Sequence, residues 1–279
     1  PYLPCRFKMK LKHIAALALF CSASTHALIL PNDAKTLDRV SVYYMDWSEG
    51  ATEQSQGFAF DTGVIQYSHA AIKDWGEWVA IIDASNFTKL SKNDFDDMET
   101  ITVRTVTHKN LGDSNFNAWA QNTLATSTVM TANDLYVGIS YDWNIGSLQL
   151  KPAVGIHHNF GMASLVLPEQ PNPETELAIH TDHSGLSGMT AVITAQYPLT
   201  WLNQSFLLNA GLDYQFARPD DYKEFVMVDR DAGYAAIVNL DWIISQNFNA
   251  FVEYRYMNNY SVAMDGNAGG LAVGVGYSF

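Results

Sequence analysis

Asp83, Arg104, Lys151, Asp213, Asp241, Glu253 and Arg255 stand in stretches where large apolar residues alternate with small or polar ones. Side chains along an extended strand point alternately to opposite faces, so charges spaced this way share one face. Inside a tube, such a face selects solutes by charge and hydrogen bonding. The plainer reading is internal pairing that packs a small barrel. Glu253 and Arg255, two positions apart, are placed for it. Tyr43, Phe60, Trp119, Tyr136 and Phe251 fall on the same rows. Aromatic faces stack on nucleobases at roughly 1–3 kcal/mol per base, and they also fill volume. The ten residues expected to line a lumen are thus Asp83, Arg104, Trp119, Tyr136, Lys151, Asp213, Asp241, Phe251, Glu253 and Arg255.

Two other groupings suggest different chemistry. His180-Thr181-Asp182-His183 has two imidazoles and a carboxylate, donors that suit a metal. No cysteine or third histidine is near, and a solvated acidic loop is the simpler reading. His157, His158, Asn159 and Ser164 hold the residue types of a serine hydrolase. However, Ser164 is expected in a loop, and no Gly-x-Ser-x-Gly occurs. No catalytic, metal or cofactor residue is therefore assigned, and an enzyme is not expected.

The elements that must position these residues are strands. The chain ends GLAVGVGYSF, in which Leu271, Val273, Val275, Tyr277 and Phe279 alternate with Ala272, Gly274, Gly276 and Ser278. Period-two patterning of this kind marks a strand with two different faces. It recurs at about 39–47, 58–70, 77–87, 98–108, 116–126, 134–144, 148–160, 187–198, 205–217, 232–244, 248–259 and 270–279. Most of these segments are long enough to cross a bilayer at a tilt. Short connections follow the even segments. Long ones follow most odd segments, about 48–57, 88–97, 161–186, 218–231 and 260–269, the short link near 127–133 being the exception. That rhythm belongs to outer-membrane barrels and has no counterpart in a sandwich. The fold expected is all-β: a transmembrane antiparallel β-barrel of about twelve strands, with short periplasmic turns and longer extracellular loops. A charge on the lipid face costs on the order of 2–4 kcal/mol near the midplane, so the polar rows must face inward. Trp143, Trp201, Trp242, Tyr256 and Tyr277 lie near strand ends, where aromatic girdles sit. The Gly and Ala rows, as in the last strand, leave interior space and favour an open lumen.

Arg6, Lys8, Lys10 and Lys12 precede a short apolar run, Ile14 to Phe20, and Thr25-His26-Ala27 suits a signal peptidase. Residues 1–27 are expected to be a secretory signal peptide, with Met9 a better start than Pro1. Cys21 raises lipid attachment, which the bulky Phe20 disfavours. Residues 28–279 then form one domain, from which both cysteines, Cys5 and Cys21, have been lost. The whole chain carries a net charge of −13, and more acid excess once the basic leader is gone. That excludes nucleic acid as a partner. No stretch reaches the length of a helical membrane span.

Residues 66–83, QYSHAAIKDWGEWVAIID, resemble a stretch of the Tsx/OmpK family of outer-membrane nucleoside-specific channels. The matching elements are Gln66-Tyr67-Ser68-His69, Trp75-Gly76-Glu77 and Asp83. Gln66 and Ser68 stand where family members often carry Glu, and Glu77 where Asp is usual. The resemblance implies a monomeric twelve-stranded barrel with a narrow lumen that passes nucleosides. It also implies surface loops that serve phages or colicins as receptors. No residue's role is carried over from the family. The expectation is a channel in the outer membrane of a Gram-negative bacterium for passive diffusion of small polar solutes, nucleosides first. The alternatives are a surface receptor or adhesion barrel without conductance and, more remotely, a barrel hydrolase.

Overall fold

The computed structural model describes residues 36–48, 50–51, 61–86, 99–127, 130–168, 176–226, 228–260 and 266–279, with only the backbone of 163–168 and 176–180. The expected leader, Phe60 and most of PEQPNPETE lie outside the described residues.

The strands are β1 Thr36–Trp47, β2 Thr62–Lys73, β3 Gly76–Ser85, β4 Thr100–Asn110, β5 Phe116–Thr126, β6 Met130–Tyr141, β7 Trp143–Ile145, β8 Leu148–Pro168, β9 Glu176–Trp201, β10 Gln204–Phe216, β11 Gly233–Ile243, β12 Phe248–Asn258 and β13 Asn267–Ser278. A short helix, α1 (Asp220–Val226), lies between β10 and β11. The strands pair antiparallel in sequence order, except that β6 and β7 both pair with β8, so that β7 continues β6 past Asp142. β1 pairs with β13 from Arg39↔Ser278 to Trp47↔Gly270. The result is a closed twelve-strand barrel. Closure leaves no unpaired edge, the condition for a sheet to stand in lipid. No described helix is long and apolar enough to cross a membrane; the crossing is made by strands.

The two faces separate as the alternation requires. Val42, Ile65, Ile82, Ile139, Val154, Ile193, Val238, Val252 and Val273 are exposed on the outside. Gln66, Arg104, Asp134, Asp213, Asn239 and Glu253 are buried inside. Trp75, Trp143, Trp201, Trp242, Tyr277 and Phe279 are exposed at the end with short turns and form a girdle there. Tyr256 belongs to the other rim, beside Tyr234 at 5.9 Å between ring centres. The β2–β3 turn needs its glycine: Gly76 has φ +140°, and a Cβ there would run into the His108 carbonyl.

The expected loop over 161–186 is corrected. β8 runs on to Pro168 and β9 begins at Glu176, and the two stay paired to Leu167↔Leu177 and Pro168↔Glu176. The apolar alternation of Leu165 and Leu167 continues past the point where the wall's other strands stop. The parity within β9 also breaks. One extra residue, Ser187, lies between Leu186, opposite His158, and Gly188, opposite His157. Gly188 carries the bulge at φ +120°. Thr190 and Val192 face inward on one side of it, His183 and Ser187 on the other. The His180–His183 run is therefore strand, not loop. His183 is buried inside and Asp182 is exposed, so the two cannot share a ligand. Among the described residues no group of three His, Cys, Asp or Glu side chains is placed to hold a metal ion.

Candidate functional site

Arg104, Trp119, Tyr136, Asp213, Asp241, Phe251, Glu253 and Arg255 are buried on inward rows of β4, β5, β6, β10, β11 and β12. Asp83 on β3 accepts from Gln66 Nε2 at 2.9 Å, and Lys151 on β8 reaches inward to Glu77 and Asp142. The structure thus places all ten sequence-selected residues inside the barrel, together with Tyr43. It groups most of them into three tiers.

At the short-turn end, Lys151 Nζ bridges the carboxylates of Glu77 and Asp142, the latter at 3.0 Å. Asn117 Nδ2 donates to the other Asp142 oxygen at 3.0 Å, and His108 Nδ1 shares a 2.7 Å hydrogen bond with Ser140 Oγ. Residues from β3, β4, β5, β6 and β8 meet here because their strand ends converge.

In the middle tier, Arg255 Nε bonds Glu253, and its guanidinium lies 5.7 Å over the Tyr43 ring. Asn239 Nδ2 donates to the second Glu253 oxygen at 3.4 Å. Beside it, Asp241 accepts from Asn249 at 2.5 Å and Asn209 at 3.3 Å and pairs with Arg39 at 3.5 Å. Buried charges persist when paired and hydrogen-bonded in this way. The space expected above the Gly and Ala row of β13 is filled. At Gly274 a Cβ would stand 2.5 Å from Tyr43 Cβ and 2.6 Å from Phe251 Cζ, and these two rings pack edge to face at 5.8 Å. The small residues make room for neighbouring rings, so this row does not indicate an open lumen.

Along the inner face of the neighbouring strands β5, β6 and β8 runs a column of rings. Trp119 and Tyr136 are near-parallel at 6.2 Å, and Tyr136 stacks on His157 at 4.5 Å and 19°. Hydrogen-bonding groups flank it. His157 Nε2 donates to Asp134 at 2.6 Å, Asn159 Nδ2 donates to the same oxygen at 2.9 Å, and Gln215 Nε2 donates to the Tyr136 hydroxyl at 2.8 Å. Asp213 accepts from Thr190 at 2.8 Å and Tyr260 at 2.5 Å. His157 Nδ1 and Asn159 Oδ1 are buried with no partner among the described residues.

Beyond His157 stands α1. Tyr222 meets His157 edge-on at 5.3 Å and His183 at 5.3 Å, and Phe225 lies 5.9 Å from His183. Arg218, just before the helix, donates to the Asn259 carbonyl at 2.6 Å and to Gln215 at 2.8 Å. On the outer side of α1, Lys223 pairs with Asp220 at 2.7 Å and Asp231 at 2.9 Å. The two carboxylates hold the Lys223 ammonium above its usual range, and Lys223 holds Asp231 below the usual carboxylate range.

Sequence reasoning missed Asp134, His157, His183, Tyr222 and Phe225 as members of this interior. Asp134 lies two residues from Tyr136 and was legible from parity. Tyr222 and Phe225, three apart, mark one face of a helical turn. His183 gave no signal, because the bulge reverses its parity. Of the serine hydrolase grouping, His157 and Asn159 face inward and His158 lies on the other parity of β8, while the Ser164 side chain lies outside the described residues.

The sequence pattern of the family described as nucleoside-specific channel-forming protein, Tsx, matches residues 42–279. No curated protein matches the chain. Among solved structures, the NanC porin is similar at 13% identity, covering 85% of this chain and 98% of its own, with a TM-score of 0.48. The KdgM porin is similar at 10% identity, 86% and 99% coverage, and a TM-score of 0.45. An outer membrane channel from Pseudomonas putida F1 shows 10% identity, 90% and 100% coverage, and a TM-score of 0.45. With a family match that takes in the whole barrel but the first half of β1, this chain belongs to the Tsx family of channel-forming proteins, and its barrel is a channel for small solutes in the Gram-negative outer membrane.

Proposed function

We propose that the solutes are nucleosides and that they pass along the ring column Trp119–Tyr136–His157. The observation that carries this reading is the column's makeup: three aromatic rings packed near-parallel and buried inside the barrel, with His157 Nδ1 and Asn159 Oδ1 beside them lacking a partner among the described residues. A buried polar atom without a partner is a ready handle for a ligand. Conduction requires sites favourable enough to enter and weak enough to leave, and stacking alone supplies free energies of that size. In this reading the ten inward residues line the path, the chain acts as a monomer without catalysis, and residues 1–27 serve as its export signal.

The test is single-channel conductance in planar bilayers with adenosine or uridine added. Concentration-dependent block by the nucleoside supports the proposal, and an ionic current indifferent to it refutes it. A second reading, a phage or colicin receptor, draws on the β8–β9 ribbon, which carries paired backbone to Pro168 and Glu176 beyond the other strands. Loss of phage adsorption on trimming that ribbon, with conductance intact, is its test.

A further inference from the structure

We propose that α1 is the element that sets the width of the conduit, with Phe225 seated on Gly161 as its closing contact. This rests on the chain being a channel and is independent of which solute it prefers.

Four observations converge. First, α1 turns Tyr222, Phe225 and Val226 inward and leaves Asp220 and Asp221 exposed. Its apolar side belongs to one buried cluster with residues from facing parts of the wall, including Met45 on β1, Ala125 on β5, Ala132 on β6 and Ala268 on β13. Residues from opposite walls join one cluster only if something spans the bore between them. Second, the wall at that level carries alanine, and the volume left by those short side chains is taken by the helix and its flank, including Val228.

Third, Gly161 lies inside β8, where glycine weakens a strand. A Cβ there would overlap the Phe225 ring. The glycine thus trades strand propensity for a seat that fits one ring. Fourth, a seven-residue helix has no stability of its own in water. Its order comes from those inward contacts and from the tethers at either side, Arg218 to Asn259 and Lys223 to Asp231. An element held by side-chain contacts, and not by the sheet's hydrogen-bond ladder, is the part of this barrel whose removal widens the bore without opening the wall.

The experiment uses Phe225→Cys in the full barrel, which has no cysteine after Cys21. Conductance is recorded in planar bilayers before and after adding a bulky methanethiosulfonate reagent, and liposome swelling is measured with arabinose, glucose, sucrose and raffinose. The expected result is about a two-fold or greater rise in conductance and entry of the disaccharide, both reversed by the reagent. Reading the same inserted channel before and after labelling separates a width effect from a folding defect. Gly161→Ala, which unseats the ring from the wall side, is expected to raise conductance in the same direction. Unchanged conductance and size limit in both variants, with no response to the reagent, overturns the proposal. Adding uridine to the same recordings separates the two claims. A shifted size limit without nucleoside block sustains the role of α1 and removes the nucleoside reading, and block without a shift does the reverse.

Discussion

Arg255 bonds the carboxylate of Glu253 from two positions along the same strand, and both are buried inside the barrel against Tyr43. An ion pair of this kind balances charge without removing it from the path. Replacing Arg255 by Ala removes the guanidinium bonded to the buried Glu253 carboxylate. Breaking a buried pair costs roughly 3–5 kcal/mol, so the refolded barrel should unfold at lower urea. Its reversal potential in a salt gradient should also shift toward cation preference. The double change Glu253→Gln with Arg255→Met should restore most of the stability, because replacing both partners is near neutral. Equal stability of the single and double variants would show that the pair does not couple.

Lys151 predicts a second, salt-sensitive effect at the other tier. It is the cation between Glu77 and Asp142, all three partly open to solvent. Lys151→Met leaves two carboxylates facing the short-turn mouth. Cation selectivity should rise at 0.1 M salt and fade at 1 M, where the screening length drops from about 10 Å to about 3 Å. A selectivity that ignores ionic strength would place this cluster away from the ion path.

Tyr136 sits between Trp119 and His157, so its ring is the link in the column. Tyr136→Ala should raise the nucleoside concentration for half-block about ten-fold, as expected for a stacking contribution of roughly 1–3 kcal/mol. Tyr67→Ala, on the outer face, should leave it unchanged. Identical block in both variants would move the binding site elsewhere.

The pairing around Lys223 carries a pH dependence. Asp231 is held below its ordinary value of about 3.9, so its contribution is complete above that value and is lost as pH falls through the lowered one. Lys223 is held above its ordinary value of about 10.4, so its contribution is complete below that and is lost only in strong base. The tether is therefore intact at neutral pH and fails in acid, below about pH 4. Hydrogen exchange of the α1 amides, corrected for intrinsic rates, should keep its protection down to about pH 4 and lose it as the pH falls further. Lys223→Met should abolish that dependence. Acid-independent protection in the native protein would refute the tether.

Much of the wall was legible because lipid and lumen impose opposite chemistry on alternate residues. Leu212 and Asp213 sort themselves, as do Val252 and Glu253, and one misplaced charge would be costly. The interior tiers were less legible. Period two says that Arg255 faces inward but not that it meets Tyr43, which lies more than two hundred positions away and arrives only when the sheet closes. His183 was hidden by Ser187, a single residue that reverses the count. The contribution of α1 was hidden because its partners, Gly161 and the alanines around it, reveal their purpose only through the ring that covers them. A glycine and alanine row reads as vacancy in sequence; here Tyr43 and Phe251 lie over one such row.

The pairing of β1 with β13 has a consequence for biogenesis. The seam runs from Arg39↔Ser278 to Trp47↔Gly270, so β13 is the strand that completes the ladder of β1. A polypeptide truncated before Gly270 would present two bare backbone margins to hydrocarbon, where each orphaned amide costs several kcal/mol. Stable residence in the membrane therefore requires that β1 and β13 meet.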